Sequence, residues 1–233
     1  MTLTGRGNVE KSHTRLAATL SRLTDADARR ASLLPGWSVG HVLTHLARNA
    51  DSHVRMLEGA ALGEVADQYP GGNRQRAADI EAGAGRPAAE LVADVTSTAA
   101  RLEAAMGSTP DEAWRGGWGR VVSGIWPLAE LPFRRWREVE VHHVDLGLGY
   151  AVSDWPEEYV DAELPPSLAG LPARLEPGTA VELRAADTGE RWLIPEEVAT
   201  ARHSVTAERR VVLGWLIGRV SDPRFPPLGP WAG

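Results

Sequence analysis

Histidine and glutamate side chains in two segments of the sequence have the types and spacing of a metal site. The chain has only seven histidines, and five of them fall in two stretches with helical spacing. In the second stretch Glu138 and His142 are four residues apart, so on a helix their side chains point the same way. They flank the apolar stripe of Leu131, Val139 and Leu146. Such a pair is common on helix surfaces, and it becomes a metal site only with a third ligand from elsewhere.

The first stretch offers three histidines as that third ligand. Two imidazoles and one carboxylate would leave a fourth coordination position open, which is the usual make-up of a catalytic zinc site. By helical angle His53 falls nearest the core face, His45 lies at its edge, and His41 points away, as a solvated or cap-proximal histidine does. The spacing alone leaves the choice open. The stripe of small and polar residues beside His45 contains Asn49, Ser52 and Met56. It could form a pocket wall or a half-exposed helix flank, and the spacing slightly favours the flank.

The composition sets limits on the chemistry. The chain has no cysteine, so it offers no disulfide, thiolate ligand or cysteine nucleophile, and any thiol chemistry must use a thiol from outside. A net charge of −6 disfavours binding to nucleic acid or to an anionic membrane. The apolar runs are far shorter than the roughly 18 residues of a membrane-spanning helix. Residues 1–10 lack an apolar signal region, so we expect a cytoplasmic protein.

The elements that must position these residues are predicted to be helices. Helical spacing covers residues 8–22, a long helix follows from the N-cap Ser38 to about Leu62, and residues 73–83 and 87–106 are also helical. The stretch 107–122 has the glycines of a loop. Another helix runs from about Leu128 or Pro132 to Leu146, where glycines end it. Four main helical segments of this length, spread over about 150 residues, predict a four-helix bundle.

The pattern changes to an α+β one in the rest of the chain. Residues 179–185 and 190–194 read as a β-hairpin around the turn at 187–189, and residues 202–207 read as a third strand. A closing helix spans 209–220, and the proline-rich tail 223–230 is predicted to be extended. We therefore expect a mainly α protein with an α+β extension, namely a bundle over residues 1–150 and a small α+β domain over 151–233, joined near 150–156.

Two motifs carry a resemblance to a known family. Residues 34–46 (LPGWSVGHVLTHL) resemble the signature of DinB-like metal-binding bundles and, more closely, the N-terminal domain of the mycothiol-dependent maleylpyruvate isomerase family. Residues 137–147 (REVEVHHVDLG) resemble the segment that supplies a glutamate and a histidine ligand in that family. The resemblance implies that His45, Glu138 and His142 bind the metal and that His41 does not. His143, which with Glu140 projects toward roughly the opposite flank of the helix, is incidental.

The resemblance covers almost the whole chain and also implies a substrate anchor. The family's small C-terminal domain matches the hairpin, strand and final helix described above, and its glycine-arginine pair matches Gly218-Arg219. In the family that arginine reaches toward the active site, which makes Arg219 the candidate catalytic anchor for an anionic substrate. The alternatives lie on an arginine-rich helix face, which is usually solvated: Arg134, Arg135 and Arg137. Asp145 is either an acceptor that orients a ligand histidine or a turn residue without such a role.

The activity that the resemblance implies is thiol-dependent. Zinc or another divalent metal would stabilise the thiolate of mycothiol or a related small-molecule thiol. The thiolate would add to maleylpyruvate, a small anionic substrate, and elimination after bond rotation would give fumarylpyruvate and return the thiol. The same centre would serve a thiol S-transferase that conjugates mycothiol or another thiol to an electrophile. A third hypothesis is a metal-binding module without catalysis.

Overall fold

The computed structural model describes residues 5–121, 124–194 and 200–231. The chain divides into two compact units, Met1–Tyr150 and Ala151–Gly233. None of the helices within the described ranges is long and apolar enough to cross a membrane.

The N-terminal unit is helical, as predicted, and contains a four-helix bundle. Its long helices are α1 (Arg6–Leu20), α3 (Val39–Ala61), α5 (Ala88–Ser108) and α7 (Leu131–Asp145). Helix α1 packs against α5 and α7, and α3 packs against the same two helices, which closes the bundle. The shorter helices are α2 (Asp25–Arg29), α4 (Gly72–Ala84) and α6 (Asp111–Gly116), and α4 lies against α3.

Helix α3 begins where the sequence predicts. The Ser38 hydroxyl accepts the backbone N–H of His41, and the His41 ring contacts the Ser38 backbone N–H, so the two residues form a reciprocal capping box. Val39, Leu43 and Leu46 are fully buried in the core that α3 shares with α1, α5 and α7. The helix that carries three of the histidines is therefore the central element of the bundle.

The prediction of a loop over 107–122 is wrong, because this stretch contains α6 and part of a small sheet. Strand β2 (Trp118–Val121) pairs in parallel with β1 (Ala66–Asp67) and antiparallel with β3 (Gly124–Pro127). The glycines that suggest a loop have a packing reason, since a Cβ on Gly119 would lie 2.6 Å from the Met56 sulfur on α3. The glycine lets the strand backbone rest directly on the helix.

The C-terminal unit has the predicted α+β architecture with one additional helix. Strand β4 (Thr179–Ala185) pairs antiparallel with β5 (Arg191–Ile194) and in parallel with β6 (Ala201–Ala207), in the order β5-β4-β6. Helix α9 (Arg209–Leu216) packs on β4 and on α8 (Glu157–Ala169), whose prolines Pro165 and Pro166 obscure its helical pattern. Helix α9 ends four residues before the predicted Val220, because the chain turns at Gly218 with a φ of 75°. The tail turns at 223–225 and has no helix or strand from 226 to 231.

Candidate metal centre

Three side chains that the sequence singles out lie together in the N-terminal unit. The His45 Nε2 atom on α3 is 2.9 Å from Glu138 Oε2 and 3.1 Å from His142 Nε2, both on α7. The third side of the triangle, from His142 Nε2 to Glu138 Oε2, measures 3.4 Å. Among the described residues, this is the one group of three or more histidine and carboxylate side chains close enough to share an ion.

The size of this triangle matches a metal coordination sphere. Ligand atoms bound at about 2.05 Å in a tetrahedral arrangement lie about 3.3 Å from one another. The observed separations of 2.9, 3.1 and 3.4 Å bracket that length. The side chains of His45, His142 and Glu138 are 4%, 16% and 30% exposed, so the Glu138 carboxylate is the most solvent-accessible member of the group.

Helix packing brings these side chains together, and a buried arginine fixes the two helices. Arg135 on α7 is fully buried. Its Nη1 atom donates to the backbone oxygen of Leu46 at 2.9 Å and to Asn49 Oδ1 at 2.8 Å, both on α3, and its Nε donates to His13 Nε2 at 3.1 Å. The guanidinium thus joins α7 to α3 directly beside His45.

Asp145 orients one of the three side chains. Asp145 is buried, with 2% of its surface exposed, and its carboxylate accepts the Nδ1–H of His142 at 2.8 Å. With the proton of the neutral ring held at Nδ1, the Nε2 lone pair faces His45 and Glu138. Burial works to lower the pKa of His142, but the two carboxylates of Asp145 and Glu138 stabilise the protonated ring, outweigh burial and raise that pKa above its ordinary value in the metal-free protein.

The carboxylate of the group stays charged. Burial alone would raise the pKa of Glu138, but the hydrogen bonds from His142 and His45 outweigh it and hold that pKa well below its usual value. His45 is in the opposite situation, since burial is the largest effect and lowers its pKa to about 4. The group therefore contains a carboxylate and a neutral His45 around neutral pH, which are the protonation states that a metal requires.

A residue that the sequence reasoning missed contacts His45 from the other side. The Nη2 atom of Arg76, on α4, lies 3.1 Å from His45 Nδ1, and its guanidinium carbon lies over the Tyr69 ring, 5.6 Å from the ring centre. Arg76 follows the spacing of Ile80 and Ala84, the buried residues of α4. That four-residue spacing was a usable signal, but α4 has no clear apolar stripe in which to notice it.

The remaining histidines of the two helices have other environments. His41 belongs to the helix cap, and its Nε2 lies 3.1 Å from Glu81. His53 is buried, with 2% of its surface exposed. Its pKa is lowered to about 3, mainly by burial and next by the charge of Arg135. It is not part of the group. The residues beside His45 that the spacing slightly assigned to a half-exposed flank are buried, since the bundle and the small sheet cover them: Asn49, Ser52 and Met56.

The opposite flank of α7 carries a second polar network. Glu140 is fully buried and accepts hydrogen bonds from Ser12 Oγ at 2.8 Å, from Trp136 Nε1 at 3.1 Å and from the Tyr150 hydroxyl, and it also pairs with Arg15. His143 bonds Thr19 at 2.7 Å and stacks on Tyr150 with ring centres 3.8 Å apart. Helix α7 therefore holds polar groups on two sides, toward α3 and toward α1.

The arginines considered as substrate anchors are in different surroundings. Arg135 is buried and bound to protein atoms, so it is not available at the surface of the group. Arg134 stacks 3.3 Å from the Trp126 ring centre, and Arg137 lies 5.0 Å from that of Phe133.

Arg219 belongs to the C-terminal unit. It follows α9, donates to the Ile217 carbonyl at 2.8 Å and lies 5.4 Å from the Trp231 ring centre. It lines an open cavity of about 630 Å³ together with Arg174, Trp215 and the proline-rich tail. Its role as a substrate anchor stays a prediction.

Comparison with solved structures shows a shared fold. The chain matches a crystal structure of the mycothiol-dependent maleylpyruvate isomerase with a TM-score of 0.86 and 23% identity, covering 99% of this chain and 98% of that one. A crystal structure of a histidine-to-alanine mutant of that isomerase matches with a TM-score of 0.84, at the same identity and coverage. A comparison with curated proteins finds no match.

A sequence model of a protein family matches the N-terminal part of the chain. Residues 9–147, more than half of the chain and nearly all of the N-terminal unit, match the model described as the mycothiol maleylpyruvate isomerase N-terminal domain. That range includes the three converging side chains and the residues that orient them. By this match the chain belongs to the mycothiol maleylpyruvate isomerase N-terminal domain family.

Proposed function

We propose that this chain is a metal- and thiol-dependent enzyme that isomerises maleylpyruvate, with His45, Glu138 and His142 as the metal ligands. The observation that carries the proposal is the triangle of their three ligand atoms, whose sides are 2.9, 3.1 and 3.4 Å. Family membership over residues 9–147 and the fold shared with a mycothiol-dependent maleylpyruvate isomerase support the choice of reaction.

The donor set fits zinc. Two imidazole nitrogens and one carboxylate oxygen are borderline and hard donors, and three protein ligands leave room for a fourth from solution. When bound, the metal would lower the pKa of a thiol in that open position, so that the thiolate forms near neutral pH. The residues of the chain supply the rest of the site. Asp145 holds His142 in the tautomer with a free Nε2 lone pair, and Glu138 provides the negative charge.

The thiol itself must come from outside, because the chain has no cysteine. In the proposed reaction the thiolate sulfur bonds to one carbon of the cis double bond, and the displaced electron pair moves toward the neighbouring carbonyl. The former double bond is then single and rotates. The same electron pair returns, the carbon–sulfur bond breaks, and fumarylpyruvate leaves with the thiol regenerated. Thiol and substrate atoms balance, and nothing is oxidised or reduced.

The ligand assignment is tested by metal content. We expect the wild-type protein to hold about one equivalent of zinc after dialysis against limiting Zn²⁺, and His45→Ala, Glu138→Gln and His142→Ala to lose it. His41→Gln is the matched control, since it changes a histidine on the same helix but keeps a side chain that closes the capping box of Ser38. Retention of zinc in any of the three variants would show that the assignment is wrong.

The reaction is tested separately from the metal. The zinc-loaded protein is incubated with mycothiol and maleylpyruvate, and both fumarylpyruvate and free thiol are measured. Fumarylpyruvate formed at constant thiol concentration supports the isomerase. Thiol consumed in proportion to a conjugate formed with maleylpyruvate would refute it and indicate a thiol S-transferase instead. Zinc bound without either activity would indicate a metal-binding module.

A further inference from the structure

Arg76 is placed beside the candidate metal centre with most of its hydrogen-bonding capacity unused. A guanidinium carries five N–H donors. Its Nη2 atom makes one contact with the centre, to His45 Nδ1 at 3.1 Å, and the guanidinium carbon lies over the Tyr69 ring, 5.6 Å from its centre. Within the described parts of the chain, no carboxylate forms an ion pair with Arg76. A half-buried cation with open donors beside a small-molecule site is suited to an anion.

The packing of α4 keeps this arginine at the centre. The C-terminal half of α4 is seated closely on α3, where a Cβ on Gly40 would lie 2.1 Å from the Ala84 carbonyl oxygen and one on Gly83 would lie 2.5 Å from Thr44. Ile80 is buried in the same contact. These contacts fix the backbone of α4 within two turns of Arg76. The Arg76 side chain can therefore change its rotamer while the helix stays in place.

The contact between Arg76 and His45 is incompatible with a metal on the same histidine. Arginine only donates, so His45 Nδ1 must accept, and the proton of the neutral ring is then on Nε2, where it is donated to Glu138. Metal binding through Nε2 needs the lone pair there, which puts the proton on Nδ1. Two N–H donors would then face each other across 3.1 Å. The Arg76 guanidinium has to turn away from the ring.

We propose that Arg76 binds a carboxylate of the small-molecule substrate at this centre, and that metal loading releases it for that role. The inference rests on the proposed function, because it takes His45 to be a metal ligand through Nε2. It adds a substrate-binding residue from α4 and an order of events, in which the metal enters first and the anionic substrate second. A dianionic substrate places one of its carboxylates within reach of a cation that the metal-free protein keeps engaged with His45.

The test compares Arg76→Gln with Arg74→Gln in the full-length protein. Arg74 is exposed on the same helix, so its substitution removes the same charge without touching the centre. Calorimetry gives the affinity for Zn²⁺ and then, on the zinc-loaded protein without thiol, the affinity for maleate as a dicarboxylate probe. We expect Arg76→Gln to bind Zn²⁺ several-fold more tightly than Arg74→Gln, and maleate about 10-fold or more weakly, as for the loss of a charge-assisted hydrogen bond.

The outcomes separate this inference from the proposed function. If the wild-type protein and Arg74→Gln take up no Zn²⁺, the proposed function fails and the inference fails with it. If both take up one equivalent and Arg76→Gln matches Arg74→Gln in maleate affinity, the inference alone is refuted. Unchanged or weaker Zn²⁺ binding by Arg76→Gln would refute the release of the arginine by the metal.

Discussion

His13 on α1 is a buried neutral histidine held between a cation and a carboxylate. Its Nε2 accepts from Arg135 Nε at 3.1 Å, so its single proton is on Nδ1, which donates to Glu103 at 2.7 Å. A second proton would have to go on Nε2, directly opposite the Arg135 N–H. Burial is the largest effect on the pKa of His13 and the charge of Arg135 the next, and together they lower it from 6.5 to about 2.

This shift makes the stability of the protein depend on pH in a calculable way. In the unfolded chain the histidine has its ordinary pKa near 6.5, so below that pH the unfolded state binds a proton that the folded state excludes. The contribution of His13 is complete above pH 6.5 and is lost as the pH falls. At about 1.4 kcal/mol for each pH unit, the loss from pH 7 to pH 5 is about 2 kcal/mol for this one residue.

The assay is urea unfolding at pH 7 and pH 5 of the wild-type protein and of His13→Gln. Glutamine can still accept from Arg135 through its carbonyl and donate to Glu103 through its amide, but it does not titrate. We expect the free energy of unfolding to fall between the two pH values by about 2 kcal/mol less in the variant than in the wild type. Both proteins are measured with a chelator, so that no metal contributes. Equal losses in the two proteins would refute the account of His13.

Three further changes test other contacts. Asp145→Asn removes the negative charge that accepts the Nδ1–H of His142, so the zinc affinity measured by calorimetry should fall about 10- to 100-fold. An undiminished affinity would show that Asp145 does not orient this ligand. Gly40→Ala places a methyl group against the Ala84 carbonyl and should lower the free energy of unfolding by about 1–3 kcal/mol, whereas Gly7→Ala, which meets no atom within 4 Å, should not lower it. Glu140→Ala leaves buried donors without their acceptor and should cost about 3–5 kcal/mol in the same assay, and a loss below 1 kcal/mol would contradict the network described for it.

The long elements of the fold could be predicted from the sequence because their signals are local. A capping box begins α3 at Ser38, and apolar residues recur along the helix at three and four positions. The end of α9 was predicted four residues too late, because the positive φ of Gly218 that ends it is a property of the folded backbone. The small sheet could not be predicted, because β1 and β2 pair across about fifty residues and the glycines in β2 reflect contact with α3. Helix α8 was missed because its prolines interrupt the periodicity.

The candidate site likewise has a part that local spacing predicts and a part that depends on tertiary packing. The spacing of Glu138 and His142 is a property of one helix, so the sequence alone brings them together. The choice of His45 over His53 depends on which side of α3 faces α7, and only the resemblance to a family supplied it. Arg76 shares the four-residue spacing of Ile80 and Ala84 on α4, but its contact with His45 joins two helices through tertiary packing, so that spacing alone does not indicate a site.

The two polar sides of α7 constrain its rotation about its own axis more tightly than apolar packing alone. Apolar contacts depend on shape and volume, whereas hydrogen bonds also require a direction and a partner. For α7 a slip of one residue turns the helix by about 100°, which would withdraw Glu140 from its donors on α1 and Glu138 from His45 at the same time. Its rotational setting is therefore unique. Substitutions elsewhere that leave both sets of contacts intact therefore leave the direction of the Glu138 and His142 side chains unchanged.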